Sequence, residues 1–136
     1  MGTKKVFICY DHSEDLLYKN MLKAWDANTD FDFEFDQRSP DTAINSLLAN
    51  VVQSVLTGKM KEAEYILVLV GKKSYTSKWM NWEISRAQQA DTNLKFAVVR
   101  IDSSNVLPSN LPRYSAFAPE FTLRGTETAL NNAKNN

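Results

Sequence analysis

The chain has 136 residues, 43% of them hydrophobic and 24% charged, which is the length and composition of one globular domain. Sixteen Lys and Arg offset sixteen Asp and Glu, so no general field draws the protein to a phosphate backbone, and nucleic acid is excluded as a partner class. One cysteine, Cys9, and one histidine, His12, exclude an internal disulfide framework and a Cys/His zinc site, and no metal is expected.

No apolar run approaches the ~20 residues of a membrane helix, and the stretch Met1-Gly2-Thr3-Lys4-Lys5 leads directly into a strand-like segment. The expectation is a soluble, cytoplasmic protein with no membrane partner. Gly2, Gly58, Gly71 and Gly125 form neither G-x-G-x-x-G nor G-x-x-x-x-G-K-[ST]. This weighs against a dinucleotide-dependent oxidoreductase and a P-loop NTPase, whose backbones must approach phosphate where a side chain would clash.

In chain order, Val6-Phe7-Ile8-Cys9-Tyr10 is continuously apolar, as a strand buried on both faces would be. Asp11 and Glu14 form a capping pair before a first helix carrying Leu17, Met21, Ala24 and Trp25. Residues 30–36 alternate strictly, with Phe31, Phe33 and Phe35 on one face and charges on the other, which marks an edge strand. Ile44, Leu47, Leu48, Val51, Val52 and Val55 recur at helical spacing and define the apolar stripe of a second helix that stops before Gly58. Residues 65–70 are a second fully apolar strand. Ser77 then caps a third helix, on which Met80, Ile84, Ala87 and Asp91 make one stripe and Trp79, Glu83, Arg86 and Ala90 a neighbouring one. Residues 96–101 give a fourth strand.

Beyond Asp102 the chain reads as extended loop with a short fifth strand within 114–121, and 126–136 reads as an Asn-rich frayed tail.

Strands alternating with helices give an α/β, flavodoxin-like, three-layer fold: a central parallel sheet of four to five strands with helices on both faces. The strand order 2-1-3-4 follows from the edge character of the second strand. One domain spans residues 1–136, its core at about 4–118. Ligands of such sheets bind beyond the carboxyl ends of the strands, near the switch in strand order. That rule selects Tyr10-Asp11-His12-Ser13, Gln37-Arg38-Ser39-Pro40-Asp41, and the loop from Gly71 to Ser77 leading into the helix of Glu83.

The segment Ser77-Lys78-Trp79-Met80-Asn81-Trp82-Glu83-Ile84, following Tyr65-Ile66-Leu67-Val68-Leu69-Val70-Gly71, resembles the S-x-W-x-x-x-E element of TIR domains. The opening Val6-Phe7-Ile8-Cys9-Tyr10 with Asp15 resembles their first box. The closer likeness is to the bacterial TIR-like family that includes the Thoeris antiphage sensor, over roughly residues 4–118. Two positions depart from the pattern: Ser74 stands where Thr is usual, and Arg38-Ser39-Pro40-Asp41 lacks the glycine of a Pro-Gly turn.

The resemblance implies an NAD+ nucleosidase that breaks the nicotinamide–ribose bond, with Glu83 catalytic and NAD+ as substrate rather than cofactor. It also implies an ADP-ribose-derived signalling nucleotide, cyclic in the favoured form, acting on a separate nucleotide-sensing effector in antiphage defence. Assembly into a homo-oligomer and a phage-derived trigger belong to the same picture. A fixed carboxylate near a ribose that gains positive charge stabilises the transition state. Its place near the helix N-terminus favours the ionised form. Trp79 and Tyr10 are candidates to stack on a ring, Arg38, Lys72 and Lys73 to meet the pyrophosphate, and Asp11, Ser74 and Ser77 to complete the substrate site.

Each residue also has a plainer reading. Glu83 is equally the solvated residue or the i,i+3 partner of Arg86 that such spacing ordinarily gives. Trp79 and Trp82 serve as packing residues, and Cys9 as a buried core thiol. Two other functions share the pattern. One is a non-catalytic TIR module signalling by self-assembly; the other is a nucleoside deoxyribosyltransferase-like enzyme, which would cleave substrates lacking pyrophosphate.

Overall fold

The six residues of strand β3 (Tyr65–Val70) are all buried, because side chains on both its faces are covered by helices. The computed structural model describes residues 4–11, 22, 24, 25, 33–36 and 48–136. Around β3 the sheet holds β1 (Lys4–Cys9), β2 (Phe33–Asp36), β4 (Lys95–Arg100) and the two-residue β5 (Ala116–Phe117), all parallel, in the order β2-β1-β3-β4-β5. Among the described residues the helices are α1 (Ala49–Glu62), α2 (Lys78–Ala87) and α3 (Leu123–Asn132), and Leu22, Ala24 and Trp25 lie in an earlier helical segment. This is the α/β three-layer, flavodoxin-like arrangement, and the switch in strand order falls between β1 and β3.

Alternation along the strands sorts the core into two layers. Ile66, Val68 and Val70 join Phe7, Cys9, Phe96 and Val98 on the face covered by α1 and α2. Leu67 and Leu69 join Val6, Ile8, Tyr10 and Val99 on the face covered by α3 and by Leu22 and Trp25 of the first helical segment. Each fully enclosed aliphatic side chain contributes roughly 1.5–3 kcal/mol of transfer free energy. At the sheet edge, Phe33 and Phe35 are buried and Glu34 exposed, as the alternation of that strand requires.

Three sequence expectations need correction. Helix α1 runs through Gly58 to Glu62 and faces the core with Ala49, Leu56 and Met60, while Leu48, Val51 and Val55 are more than half exposed. The large core-facing side chains, Leu56 and Met60, lie on either side of Gly58, so the core-facing stripe is offset from the Val-rich one. A Cβ at Gly58 would meet nothing within 4 Å, and a helical glycine in open space costs only about 1 kcal/mol. Ile44 and Leu47 lie outside the described residues.

In the first helical segment Leu22 is fully buried and Ala24 exposed, a rotation from the expected stripe; Leu17 and Met21 lie outside the described residues.

Residues 126–136 are not a frayed tail. Thr122 caps α3 by accepting from the Gly125 N–H at 3.0 Å, and Thr126, Ala129 and Leu130 are buried against the sheet. A Cβ at Gly125 would collide with the Glu120 carbonyl oxygen, so only glycine admits this tight entry. The asparagines after the helix are held by hydrogen bonds rather than apolar contact. The Phe96 N–H donates to the Lys134 carbonyl at 3.0 Å, and Asn93 exchanges side-chain-to-carbonyl bonds of 3.0 Å with Asn135 and Asn136.

Candidate functional site

The loop from β3 to α2 is built by two serines. The Gly71 N–H donates to Ser74 Oγ at 2.8 Å, and the Ser74 hydroxyl donates to the Leu69 carbonyl at 3.3 Å. Ser74 is fully buried, so it ties the loop to the end of β3 instead of presenting its hydroxyl to solvent. A single turn of 3-10 helix, Ser74–Thr76, follows, and Ser77 Oγ then accepts from the Met80 N–H at 3.3 Å as the expected N-cap of α2. The Asn81 amide also donates to the Ser77 carbonyl at 2.9 Å.

Helix α2 ends at Ala87, short of Asp91, and buries Met80, Glu83, Ile84 and Ala87 on one face. Glu83 is therefore a member of the buried stripe, only 3% exposed. It is neither solvated nor paired with Arg86, whose guanidinium makes a bidentate bond of 2.7 and 2.8 Å to Asp91. Asp91 is held well below the usual carboxylate range by that bond.

The Glu83 carboxyl meets β1 instead. Cys9, fully buried, is the neighbour on β1 that bears on its charge, and the Cys9 thiol donates to the Met80 carbonyl at 3.8 Å, one turn earlier on α2. Burial pushes the Glu83 pKa up to about 8, and the Cys9 thiol offsets only part of that rise. The expectation that the helix N-terminus favours the ionised form of Glu83 does not hold for the free carboxyl, because burial is the largest influence on it and favours the protonated form. Burial likewise raises the Cys9 thiol well above its ordinary value, with the nearby Glu83 charge adding to it.

The other predicted residues lie in several different environments. Trp79 and Trp82 pack edge to face, ring centroids 5.9 Å apart at 87°, and both are half-buried against the α1/α2 layer of the core. Tyr10 is buried at the carboxyl end of β1 on the opposite sheet face, and Asp11 beside it is half-buried. Lys72 is exposed, its charge bearing on Asp102 in the loop after β4. Lys73 is exposed as well. Arg38 and His12 lie outside the described residues. Chain order and strand pairing thus bring Tyr10, Asp11, Lys72, Ser74 and Ser77 to the carboxyl ends of the adjacent strands β1 and β3.

Two features escaped the sequence reading. Cys9 bears on the charge of the candidate carboxyl, a relation between β1 and α2 with no signature in local spacing. A polar groove of about 620 Å³ also runs between α1 and α2, with Gln53, Thr57 and Lys61 on one wall and Trp82 and Arg86 on the other. Among the described residues no group of three or more His, Cys, Asp or Glu is placed to hold a metal ion. No helix among them is long and apolar enough to cross a membrane.

Residues 7–106 match the family model of the Thoeris protein ThsB, TIR-like domain. The chain belongs to this TIR-like family. The match takes in β1, the buried strand β3, the serine-built loop and all of α2 with Trp79 and Glu83. It ends before β5 and α3, which complete the TIR-like sheet and cover one of its faces. A comparison with curated proteins finds no match.

Proposed function

We propose that this TIR-like domain is an NAD+ nucleosidase in which Glu83 is the catalytic carboxylate. The reading rests on one observation above others: an acidic side chain enclosed on the inner face of α2, beside the switch in strand order, where burial holds its pKa at about 8. A glutamate serving only stability would be replaced at little loss by an apolar residue, and strongly perturbed carboxyls concentrate at functional sites.

NAD+ carries a positive nicotinamide ring. Its approach favours the ionised carboxylate, and the proton passes to solvent as substrate binds. The C–N bond to nicotinamide then breaks, the electron pair leaves with the neutral nicotinamide nitrogen, and the positive charge developing on the ribose is opposed by the Glu83 carboxylate. Trp79, one turn before Glu83, supplies an indole face for a planar ring. Lys72 and Arg38 are the cations proposed for the pyrophosphate, with Tyr10 and Asp11 bordering the opposite side. The ADP-ribosyl carbon is taken up by a nucleophile held in the site, and ring closure within the same molecule yields a cyclic messenger for a separate effector in antiphage defence. A phage-derived trigger and self-association are the proposed means of switching the enzyme on.

The reading is tested by a substrate profile. Mass spectrometry of concentrated protein with NAD+, and separately with nucleosides lacking a pyrophosphate, is expected to show nicotinamide and an ADP-ribose-derived product from NAD+ alone. Cleavage of the simple nucleosides would replace this reading with a nucleoside transferase. The exposed Leu48, Val51 and Val55 on α1 favour a second reading, in which the domain signals by assembly.

A further inference from the structure

Three sides of α2 meet three different surroundings. Met80, Glu83, Ile84 and Ala87 are buried, and Trp82 and Arg86 line the groove toward α1. Asn81, Ser85 and Gln88 share the remaining flank by their i, i+4, i+7 spacing, and the loop between β4 and β5 holds it. The Asn110 carboxamide nitrogen, Nδ2, donates to the Asn81 carbonyl and to Ser85 Oγ, each at 2.8 Å. In the other direction, the Gln88 amide donates to the Asn110 carbonyl at 2.9 Å and to the Ile84 carbonyl at 3.1 Å.

We infer that Asn110 is a positioning residue for Glu83: by gripping Asn81 and Ser85, two residues to either side of it, Asn110 fixes the rotation of α2 about its axis and with it the direction in which the carboxyl projects. The inference rests on the reading of Glu83 as catalytic, and extends it to how the helix that carries the carboxyl is held.

Successive residues of a helix differ in direction by about 100°, so a modest rotation of α2 carries Glu83 from the enclosed layer toward its edge. The apolar contacts beneath the helix are non-directional and resist rotation weakly, whereas hydrogen bonds demand distance and angle together. Asn110 makes two of them on successive turns, and Gln88 closes the clasp from the helix side. The loop itself is seated by Leu107, Leu111 and Tyr114, which pack on the same core layer as α2. Stability alone does not account for the carboxamide. Its Oδ1 is buried with no hydrogen-bond partner among the described residues, which costs part of what the two donated bonds supply.

The test uses the full chain with Asn110→Ala, which removes both bonds, and Ser85→Ala, which removes one acceptor at an exposed position and so leaves the fold intact. Asn105→Ala is the control: Asn105 Oδ1 accepts from the Asp102 N–H at 2.9 Å within the same loop. Carbon-13 NMR titration of the Glu83 carboxyl, assigned with Glu83→Gln, reads its surroundings without substrate. None of the three variants alters Cys9 on β1, which bears on the Glu83 charge, or Arg86 on α2 and Lys61 on α1, which engage Asp91. Asn110→Ala is expected to lower the Glu83 midpoint by about one pH unit as water reaches the carboxyl, Ser85→Ala to lower it less, and Asn105→Ala to leave it in place. At pH 9, nicotinamide release by Asn110→Ala should show kcat about tenfold lower with KM within about twofold of wild type.

Midpoints unmoved in Asn110→Ala and Ser85→Ala overturn the inference, and should Asn110→Ala fail to fold, an unmoved midpoint in Ser85→Ala is enough to do so. An equal displacement in Asn105→Ala also overturns it, since the loop would then act only as a cover. A raised KM with unchanged kcat in Asn110→Ala has the same force, because it would place the asparagine in substrate binding. Failure of the wild-type protein to release nicotinamide counts against the nucleosidase reading alone, because the titration still decides whether Asn110 holds Glu83 in place.

Discussion

Glu83 and Arg86 stand three residues apart on α2 and do not pair: Arg86 turns to Asp91 with two bonds of 2.7 and 2.8 Å, and Glu83 is buried on the inner face of the helix. An i,i+3 ion pair on this helix would have held the carboxylate at the surface with an ordinary acid strength. Its absence leaves a carboxyl enclosed by the core, with burial as the dominant influence on its charge.

Glu83 should therefore lower the stability of the fold it serves. Its folded pKa of about 8 lies above the ordinary 4.5, so between those values the native state holds a proton that the unfolded chain has lost. Stability from this group is full below pH 4.5 and declines as pH rises through about 8. Glu83→Gln, neutral at all pH, is expected to be more stable than wild type at pH 8, by an amount on the order of 4 kcal/mol, with the gain vanishing near pH 5. Urea unfolding of both proteins at pH 5, 6.5 and 8 reads this directly. A Glu83→Gln protein less stable than wild type at pH 8 contradicts the enclosed-acid description.

Ser74 has both hydrogen-bonding partners inside the protein, the Gly71 N–H and the Leu69 carbonyl. Ser74→Ala leaves the Gly71 N–H without this acceptor in a buried setting and should cost about 1–3 kcal/mol. The loss is expected in chemical denaturation, and hydrogen exchange should rise at the amides of residues 71–77 more than in β4. Equal change across the whole sheet would mean that the serine does not anchor this loop.

Along α1 the two apolar stripes separate by environment. Val55→Lys, on the exposed stripe, should change stability by less than about 0.5 kcal/mol, whereas Leu56→Ala, one residue on, should cost about 2–5 kcal/mol. Thermal denaturation of the two variants decides which face of the helix meets the sheet.

Trp79 is half-buried against Trp82, so its role divides between packing and binding. Trp79→Ala should lower kcat/KM for NAD+ at least about tenfold, while Trp79→Phe, which keeps an aromatic face, should retain most of it. Equal losses in the two variants would speak for a packing role alone.

Much of the fold was legible because its strands are extreme in pattern. The unbroken apolar run of β3 and the strict alternation around Phe33 and Phe35 each admit one placement in a parallel sheet, and Ser77 followed by an apolar stripe marks the start of α2. The helices were harder. The Val51 and Val55 stripe satisfies helical periodicity as well as the Leu56 and Met60 stripe, and only the shape of the sheet surface chooses between them. The tail is hard to read because Asn131, Asn132, Asn135 and Asn136 resemble disorder in composition, while four buried residues of α3 and a few hydrogen bonds to backbone carbonyls suffice to hold them.

At the site, Glu83 was found through its motif. Its burial was not legible, since one residue of rotation on a helix separates the solvated flank from the core, and the strand it faces lies far away in sequence.

The most direct test of the account is nicotinamide release from NAD+ by wild-type protein and Glu83→Gln, followed across pH 6 to 9. Release by the wild type that climbs toward a plateau above pH 8, with none from a folded Glu83→Gln protein, is the result predicted from an enclosed carboxylate that must ionise to act. Release that persists in Glu83→Gln, or no release by the wild type at any pH even with phage-infected lysate added, contradicts it.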